Sequence, residues 1–208
     1  MIKQTLLLAT FLLLAACAGT SVTKTQDLSD SADAPYDNVL VVSLFSSFDM
    51  RRFFEADLVK QLTAQGVKAV ASTSMMDTKT PVNRQTFVDM VEKLGSDAVL
   101  VTQLVSIDAE SKMKDMNPQA TYNFRPTYYY NVWSVEQTEY VEPQSLEIKN
   151  TLMLSTTVFS AITKEPVWSI QTESKFTQNF DQRAGATVIE NEAKTITRHL
   201  ARNGLLAK

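Results

Sequence analysis

The sequence predicts an α/β domain built on one sheet of mixed parallel and antiparallel strands, in the order β-α-β-α-β, an aromatic insertion, a β-hairpin and a C-terminal helix. Three observations carry that prediction. Short apolar runs alternate with stretches of helical period in the first half of the chain, as successive crossovers between parallel strands require. The period switches to two in the second half, the mark of half-buried antiparallel strands. No repeat and no strong Gly- or Pro-rich break divides residues 36–208, a length that suits a single domain.

Taken in order, the chain opens with a segment that stands apart from the fold. Met1–Ala16 carries one basic residue, Lys3, then an apolar run from Leu6 interrupted by Thr10 and ending Leu14-Ala15-Ala16-Cys17. About ten apolar residues are too few for a bilayer, which needs roughly 20, so 1–16 reads as a secretory signal peptide. The Leu-Ala-Ala-Cys ending closely resembles the lipobox of bacterial lipoproteins. That resemblance implies cleavage before Cys17 and acylation of its thiol, with a second acylation on the new amine. Several acyl chains satisfy the need for two hydrophobic signals in stable anchoring. Cys17 is the one cysteine, so no internal disulfide is available. Ala18 rather than Asp follows it, which by likeness to Gram-negative lipoproteins implies the outer membrane, with the domain facing the periplasm. Removing 1–16 moves the net charge from −3 to about −4, which gives no reason to expect nucleic acid or an anionic surface as partner.

Residues 17–35 read as the lipidated cysteine and a flexible tether. Ala18–Pro35 is rich in Ser, Thr, Asp and Ala, and such a stretch has an rms reach of roughly 23 Å. Asn38–Leu44 is a continuous apolar run, a strand covered on both faces. Met50, Phe54, Leu58 and Leu62 then recur at i+4, with Phe53 and Val59 widening the stripe; Arg51, Arg52, Glu55 and Lys60 take the wet face, and Gly66 closes the helix. Val67–Ser72 is a weaker strand and 73–82 a loop. A second helix from Asn83 or Arg84 to Leu94 buries Phe87, Met90, Val91 and Leu94. Asp97–Val101 opens a third strand running to about Ile107. After an insertion over about 112–145, Leu146–Val158 and Pro166–Phe176 alternate as a hairpin. A helix from about Gln182 to Arg202 lays Ile189, Ala193, Ile196 and Leu200 on the sheet.

Four stretches, "NVLVVSLF…RRFFEADLVKQLTAQGVKAVAS", "EKLGSDAVLVTQLVSID", "VFSAITKEPVWSIQTES" and "ITRHLARNGLL", make the chain from Asn38 to Leu206 resemble a group of small proteobacterial lipoproteins with no assigned function. Two positions depart from that group: Ala161 stands where it often has Asp, and Thr163-Lys164-Glu165 where Thr-Gly-Lys is commoner. At fold level the order is also similar to the N-terminal domain of the Tol-system protein TolB and to lipoprotein activators of penicillin-binding proteins. Those likenesses imply a binding module, on the weak warrant that fold analogy provides.

Catalytic constellations lack their parts. With one histidine, His199, set in the last helix beside Leu200, and one cysteine assigned to lipid, metal clusters and Cys-His or Ser-His triads are not expected. The five glycines form no phosphate cradle. No cofactor or metal is expected. Glu136, Glu139, Glu142 and Glu147 are the carboxylates left for glycan chemistry, which needs a pair 5–10 Å apart, though such a run is ordinarily a solvated face. Arg51-Arg52 at a helix start oppose the macrodipole, and the pair reads as solvated and balanced by Asp49 and Glu55.

The insertion is the segment that invites a functional reading. Tyr122–Pro143 holds Tyr122, Phe124, Tyr128, Tyr129, Tyr130, Trp133 and Tyr140 around Arg125-Pro126. Three consecutive tyrosines in an extended segment alternate sides, so at least one faces outward, and Tyr and Trp are the residues interfaces prefer. Tyr128, Tyr129, Tyr130, Trp133 and Arg125 are the candidate partner-binding residues; the alternative is an insertion that packs over the sheet. The expectation is therefore a non-enzymatic lipoprotein binding another envelope component, a protein first. A cell-wall or surface glycan is the second reading, and self-association through a strand edge or the insertion the third.

Overall fold

In a computed structural model, the chain is described over residues 19–28, 33–80, 83–113, 119–126, 133–141, 146–178 and 183–207, the side chains of 111–113, 119–126, 133–141, 146–147, 178 and 183–184 excepted. The first half forms as its periodicity predicts. β2 (Asn38–Leu44), α1 (Phe48–Ala64), β3 (Lys68–Ala71), α2 (Arg84–Leu94) and β4 (Ala98–Met113) follow one another. β3 and β4 lie on either side of β2, both parallel to it. Crossovers of the usual single hand that leave in opposite directions put their helices on opposite faces. Val39 and Val41 thus pack with Phe54, Leu58 and Leu62 of α1, while Leu40 and Val42 pack with Met90 of α2.

β7 (Leu146–Ser160) and β8 (Pro166–Gln178) extend the sheet antiparallel, and α3 (Arg183–Arg202) returns on the α1 face, where Ala193, Ile196 and Leu200 join the core around Trp168. β5 (Gln119–Pro126) and β6 (Trp133–Val141), within the insertion, pair as a separate two-stranded sheet. β4 runs on past its expected end near Ile107 to pair Met113 with Leu146, so its ladder with β7 is the longest in the domain.

Helix ends obey local chemistry. The Met50 amide donates to Ser47 Oγ at 3.4 Å, and the Thr86 amide to Asn83 Oδ1 at 3.0 Å. α1 closes with the Gly66 amide donating to the Thr63 carbonyl and the Val67 amide to the Leu62 carbonyl. Gly66 sits at φ 92°, a left-handed turn that brings Val67 and Leu62 together in the core. Lys164, in the hairpin turn, is the non-glycine residue at positive φ, 61°, among those described; it occupies the position where the resembling lipoproteins favour Gly.

Two expectations are corrected. The stretch read as tether forms β1 (Ser21–Asp27), paired antiparallel with β8 from Ser21↔Glu173 to Asp27↔Trp168. Its residues are exposed apart from the half-buried Val22, so no apolar pattern marks it. The unpaired edge of β8 recruits it through backbone hydrogen bonds, reinforced by Ser21 Oγ and Thr23 Oγ1 donating to the Glu173 and Gln171 carbonyls. The sheet order is accordingly β1-β8-β7-β4-β2-β3.

The second correction concerns α1. Met50 and Phe53 are 45% and 56% exposed, whereas Arg51 and Glu55, expected on the wet face, are 6% and 0% exposed. Strict i+4 spacing overshoots a 3.6-residue turn by about 40° per step, so a stripe of four cannot keep its first member on the core side. Arg51, Glu55, Leu58 and Leu62 make the straighter line, and that line is the buried one.

Candidate functional site

Arg125 and Trp133 come to the same end of the β5–β6 ladder, Arg125 paired with Ser134 and Trp133 with Pro126. Their side chains, and Tyr128, Tyr129, Tyr130 and Cys17 altogether, lie outside the described residues. So do Glu142 and the side chains of Glu136, Glu139 and Glu147.

A groove that sequence reasoning did not single out lies on the α2 face. It encloses about 520 Å³ between α2 and the sheet, within the range typical of ligand sites, roughly 300–1,000 Å³. Its walls are apolar: Val42, Leu44, Phe87, Val91, Val101 and Phe159 are among them, with Arg84 and Lys164 also lining it. The groove exists because α2 covers β2 but little of β4 and β7. Phe87 and Val91, predicted buried, stay half-buried for the same reason, and only Met90 on that helix is closed off from water.

On the α1 face, two fully buried glutamates stand in contrasting surroundings. Glu55 Oε1 accepts from the Ser43 amide at 2.8 Å, Ser43 Oγ at 3.0 Å and Ser72 Oγ at 2.9 Å; its Oε2 accepts from the Thr73 amide and hydroxyl, both at 2.8 Å. Five donors from β2, the 3-10 turn Ser72–Ser74 and its first residues replace the water that burial removes. Beside it Arg51 donates to the Ser43 carbonyl at 3.0 Å and to Met76 Sδ at 2.9 Å, and its guanidinium lies 5.7 Å from the Phe48 ring centroid. This cluster ties the loop after β2 to the loop after β3. It holds the crossovers together, and all of Glu55's acceptor capacity is taken up in doing so.

Glu192, on α3, accepts one hydrogen bond, from Ser174 Oγ at 2.6 Å, and its Oε2 has no partner. Burial pushes its carboxyl up; the Ser174 hydroxyl that bonds it pulls the other way, as does the Thr172 hydroxyl, which lies near enough to act on the charge but forms no hydrogen bond of good geometry. Glu192 lines a smaller groove of about 150 Å³ with Phe45, Met50, Leu104, Ile107, Leu152 and Ile189. Ser174 Oγ also lies 2.7 Å from Thr20 Oγ1, which links the start of the described chain to this groove.

The remaining sequence features resolve into structure. Asp97 of the Gly95-Ser96-Asp97-Ala98 entry accepts from the Asp37 and Asn38 amides at 2.9 and 3.1 Å, while Asn38 Nδ2 donates to the Leu94 and Gly95 carbonyls. These bonds fasten β2 to β4 where both begin. Trp168 is a core residue, 1% exposed. Arg52 pairs with Asp49 at 3.3 Å on the surface, as expected. His199 lies on α3 among charged neighbours; burial, Arg202 and Arg198 hold its imidazole below the usual value. No group of three or more metal-ligating side chains occurs among the described residues.

No protein family matches the sequence, and no curated protein does. Among solved structures, the chain is similar to a PelC dodecamer subunit from Paraburkholderia phytofirmans, with 10% identity, 91% of this chain and 99% of that chain covered, and a TM-score of 0.46. It is similar to lipoprotein GNA1162 from Neisseria meningitidis at 12% identity, with 80% and 99% covered and a TM-score of 0.42. A minor lipoprotein from Acinetobacter baumannii shows 13% identity, 82% and 97% coverage and a TM-score of 0.37. These likenesses concern the course of the chain alone.

Proposed function

We propose that this chain is an outer-membrane lipoprotein, anchored through acylated Cys17, whose periplasmic α/β domain binds another envelope component, a protein, without chemistry of its own. The observation that carries this reading is the open groove beneath α2. About 520 Å³ of predominantly apolar space between a helix and a sheet suits an apolar side-chain cluster or short segment of a protein partner. A glycan would ask instead for stacked aromatics and hydrogen-bonding groups along the walls. The Tyr-rich insertion, carried on the β5–β6 ladder, offers a second contact region for the same partner through Tyr128, Tyr129, Tyr130, Trp133 and Arg125.

Photocrosslinking in the envelope tests this with three proteins: the full chain, Val88→Arg in the groove wall, and Tyr128/Tyr129/Tyr130→Ala. A discrete protein adduct that disappears in Val88→Arg, with thermal stability unchanged, supports the groove as the binding site. Loss in the tyrosine variant alone moves the site to the insertion. An adduct indifferent to both, or only adducts to glycan or to a second copy of the chain, rejects the reading.

A further inference from the structure

We propose that the domain rests on the membrane holding its anchor by one defined end, with Met50, Phe53, Leu104, Val105 and Ile107 dipping into the lipid surface. This rests on the acylation of Cys17 proposed above. The first argument is where the chain comes from. β1 occupies residues 21–27, and Thr20 is already tied to Ser174. Cys17 is three residues upstream, a distance the backbone spans in at most about 10 Å. The anchor therefore joins the sheet directly, and the folded body has no long tether on which to stand away from the bilayer.

The second argument is what lies at that point. One row of the sheet runs Ile107↔Leu152↔Ser174 across β4, β7 and β8, and adjacent strands are about 4.8 Å apart. Ile107 is thus roughly 10 Å from the residue that holds Thr20. Five of the eight large hydrophobics found exposed among the described residues are Met50, Phe53, Leu104, Val105 and Ile107. Met50, Leu104 and Ile107 line one groove; Phe53 follows Met50 by one helical turn, and Val105 stands at the bulge between Leu104 and Ser106. Concentrated exposed apolar surface marks a contact with something apolar. The acyl chains of Cys17 deliver a bilayer to this place.

The third argument selects the bilayer over an acyl chain folded into the protein. At about 150 Å³ the groove falls below the roughly 300 Å³ at which ligand sites begin. It accepts side chains or chain ends from a surface, and an acyl chain stays in the leaflet.

The full acylated protein, reconstituted in phosphatidylethanolamine/phosphatidylglycerol vesicles, provides the test. Because Cys17 is the sole cysteine and is blocked by lipid, a cysteine introduced by Phe53→Cys, Ile107→Cys or Ile162→Cys is the one labelling site for a fluorophore. Ile162 follows the Ala98↔Ser160 pair at the other end of the sheet, about 30 Å from Ile107 by strand rise. Quenchers attached to the lipid headgroup region should remove most emission at positions 53 and 107 and leave position 162 bright. Equal quenching at all three, or none, overturns the proposal, as does protection of 53 and 107 by intermolecular crosslinking to a second copy. Intact mass separates the two failures. If Cys17 carries acyl groups and the vesicles float the protein, unquenched rim labels reject the oriented contact alone; a protein lacking the acyl mass rejects the anchor and the contact together.

Discussion

Glu55 and Glu192 are both completely buried beneath the same face of the sheet, yet one is surrounded by donors and the other is nearly deserted. Glu55 accepts five hydrogen bonds, two of them from backbone amides. Glu192 accepts one, keeps a bare oxygen, and has its carboxyl pushed up by burial. The difference follows position. Glu55 lies where two parallel strands end together and their loops supply inward-pointing amides and hydroxyls. Glu192 lies where the core between α1, α3 and the sheet opens into the small apolar groove, with the Ser174 and Thr172 hydroxyls of β8 acting on its carboxyl. A buried acid is evidence of structure when its donors are local and complete, and it marks an unfinished surface when they are not.

The comparison breaks most readily at Glu55. Glu55→Ala strands the Ser43 and Thr73 amides in a dry site, where each unsatisfied donor costs about 1–3 kcal/mol. A total loss on the order of 3–5 kcal/mol is expected from urea unfolding midpoints; a loss below about 1 kcal/mol would mean that water replaces the carboxylate there. Ser174→Ala comes next. It removes the hydroxyl that bonds Glu192 and also the contact to Thr20, so about 1–3 kcal/mol is expected, together with earlier hydrogen exchange in β1. Ser72→Ala deletes one donor of five, leaving Glu55 held by four; about 0.5–1.5 kcal/mol is expected. Finding Ser72→Ala costlier than Ser174→Ala would reverse the contrast drawn between the two sites.

The smallest effect, and the sharpest, is a pH slope. The Glu192 carboxyl is raised in the folded protein, so folding favours its protonated form. Its contribution to stability is full below the ordinary glutamate range and is lost as pH rises through the raised folded value. Glu192→Gln has no such titration. The variant should therefore match the wild type near pH 4 and become relatively more stable toward pH 7, as read from unfolding midpoints at each pH. Parallel curves would show that Glu192 is solvated after all.

Much of this was legible along the chain. The apolar run of β2, the glycine that closes α1, the start of α2 at Asn83 or Arg84 and the alternation of β7 and β8 are local signals, read within a turn or a strand. Other features needed neighbours. Nothing in Ser21–Asp27 resembles a buried strand, because what orders it is the free edge of β8, 141 to 152 residues away in the chain. The slip in the face of α1 has a different origin: hydrophobicity favours Met50 and Phe53 over Arg51 and Glu55, and the helix repeat together with the donors on Ser43, Ser72 and Thr73 reverses that ranking. The α2 groove was hidden because Phe87 and Val91 look equally apolar whether a helix covers a sheet fully or in part.

By itself, then, the sequence determined the order and kind of the elements from Asn38 to about Ile107 and from Leu146 onward. Tertiary structure alone decided that β1 pairs along the edge of β8, that two glutamates are buried with unequal partners, and that apolar surface is left open under α2 and around Ile107. The reason is physical: secondary structure follows from interactions a few residues apart, while burial, hydrogen-bond satisfaction and uncovered surface depend on which distant segments arrive at the same place.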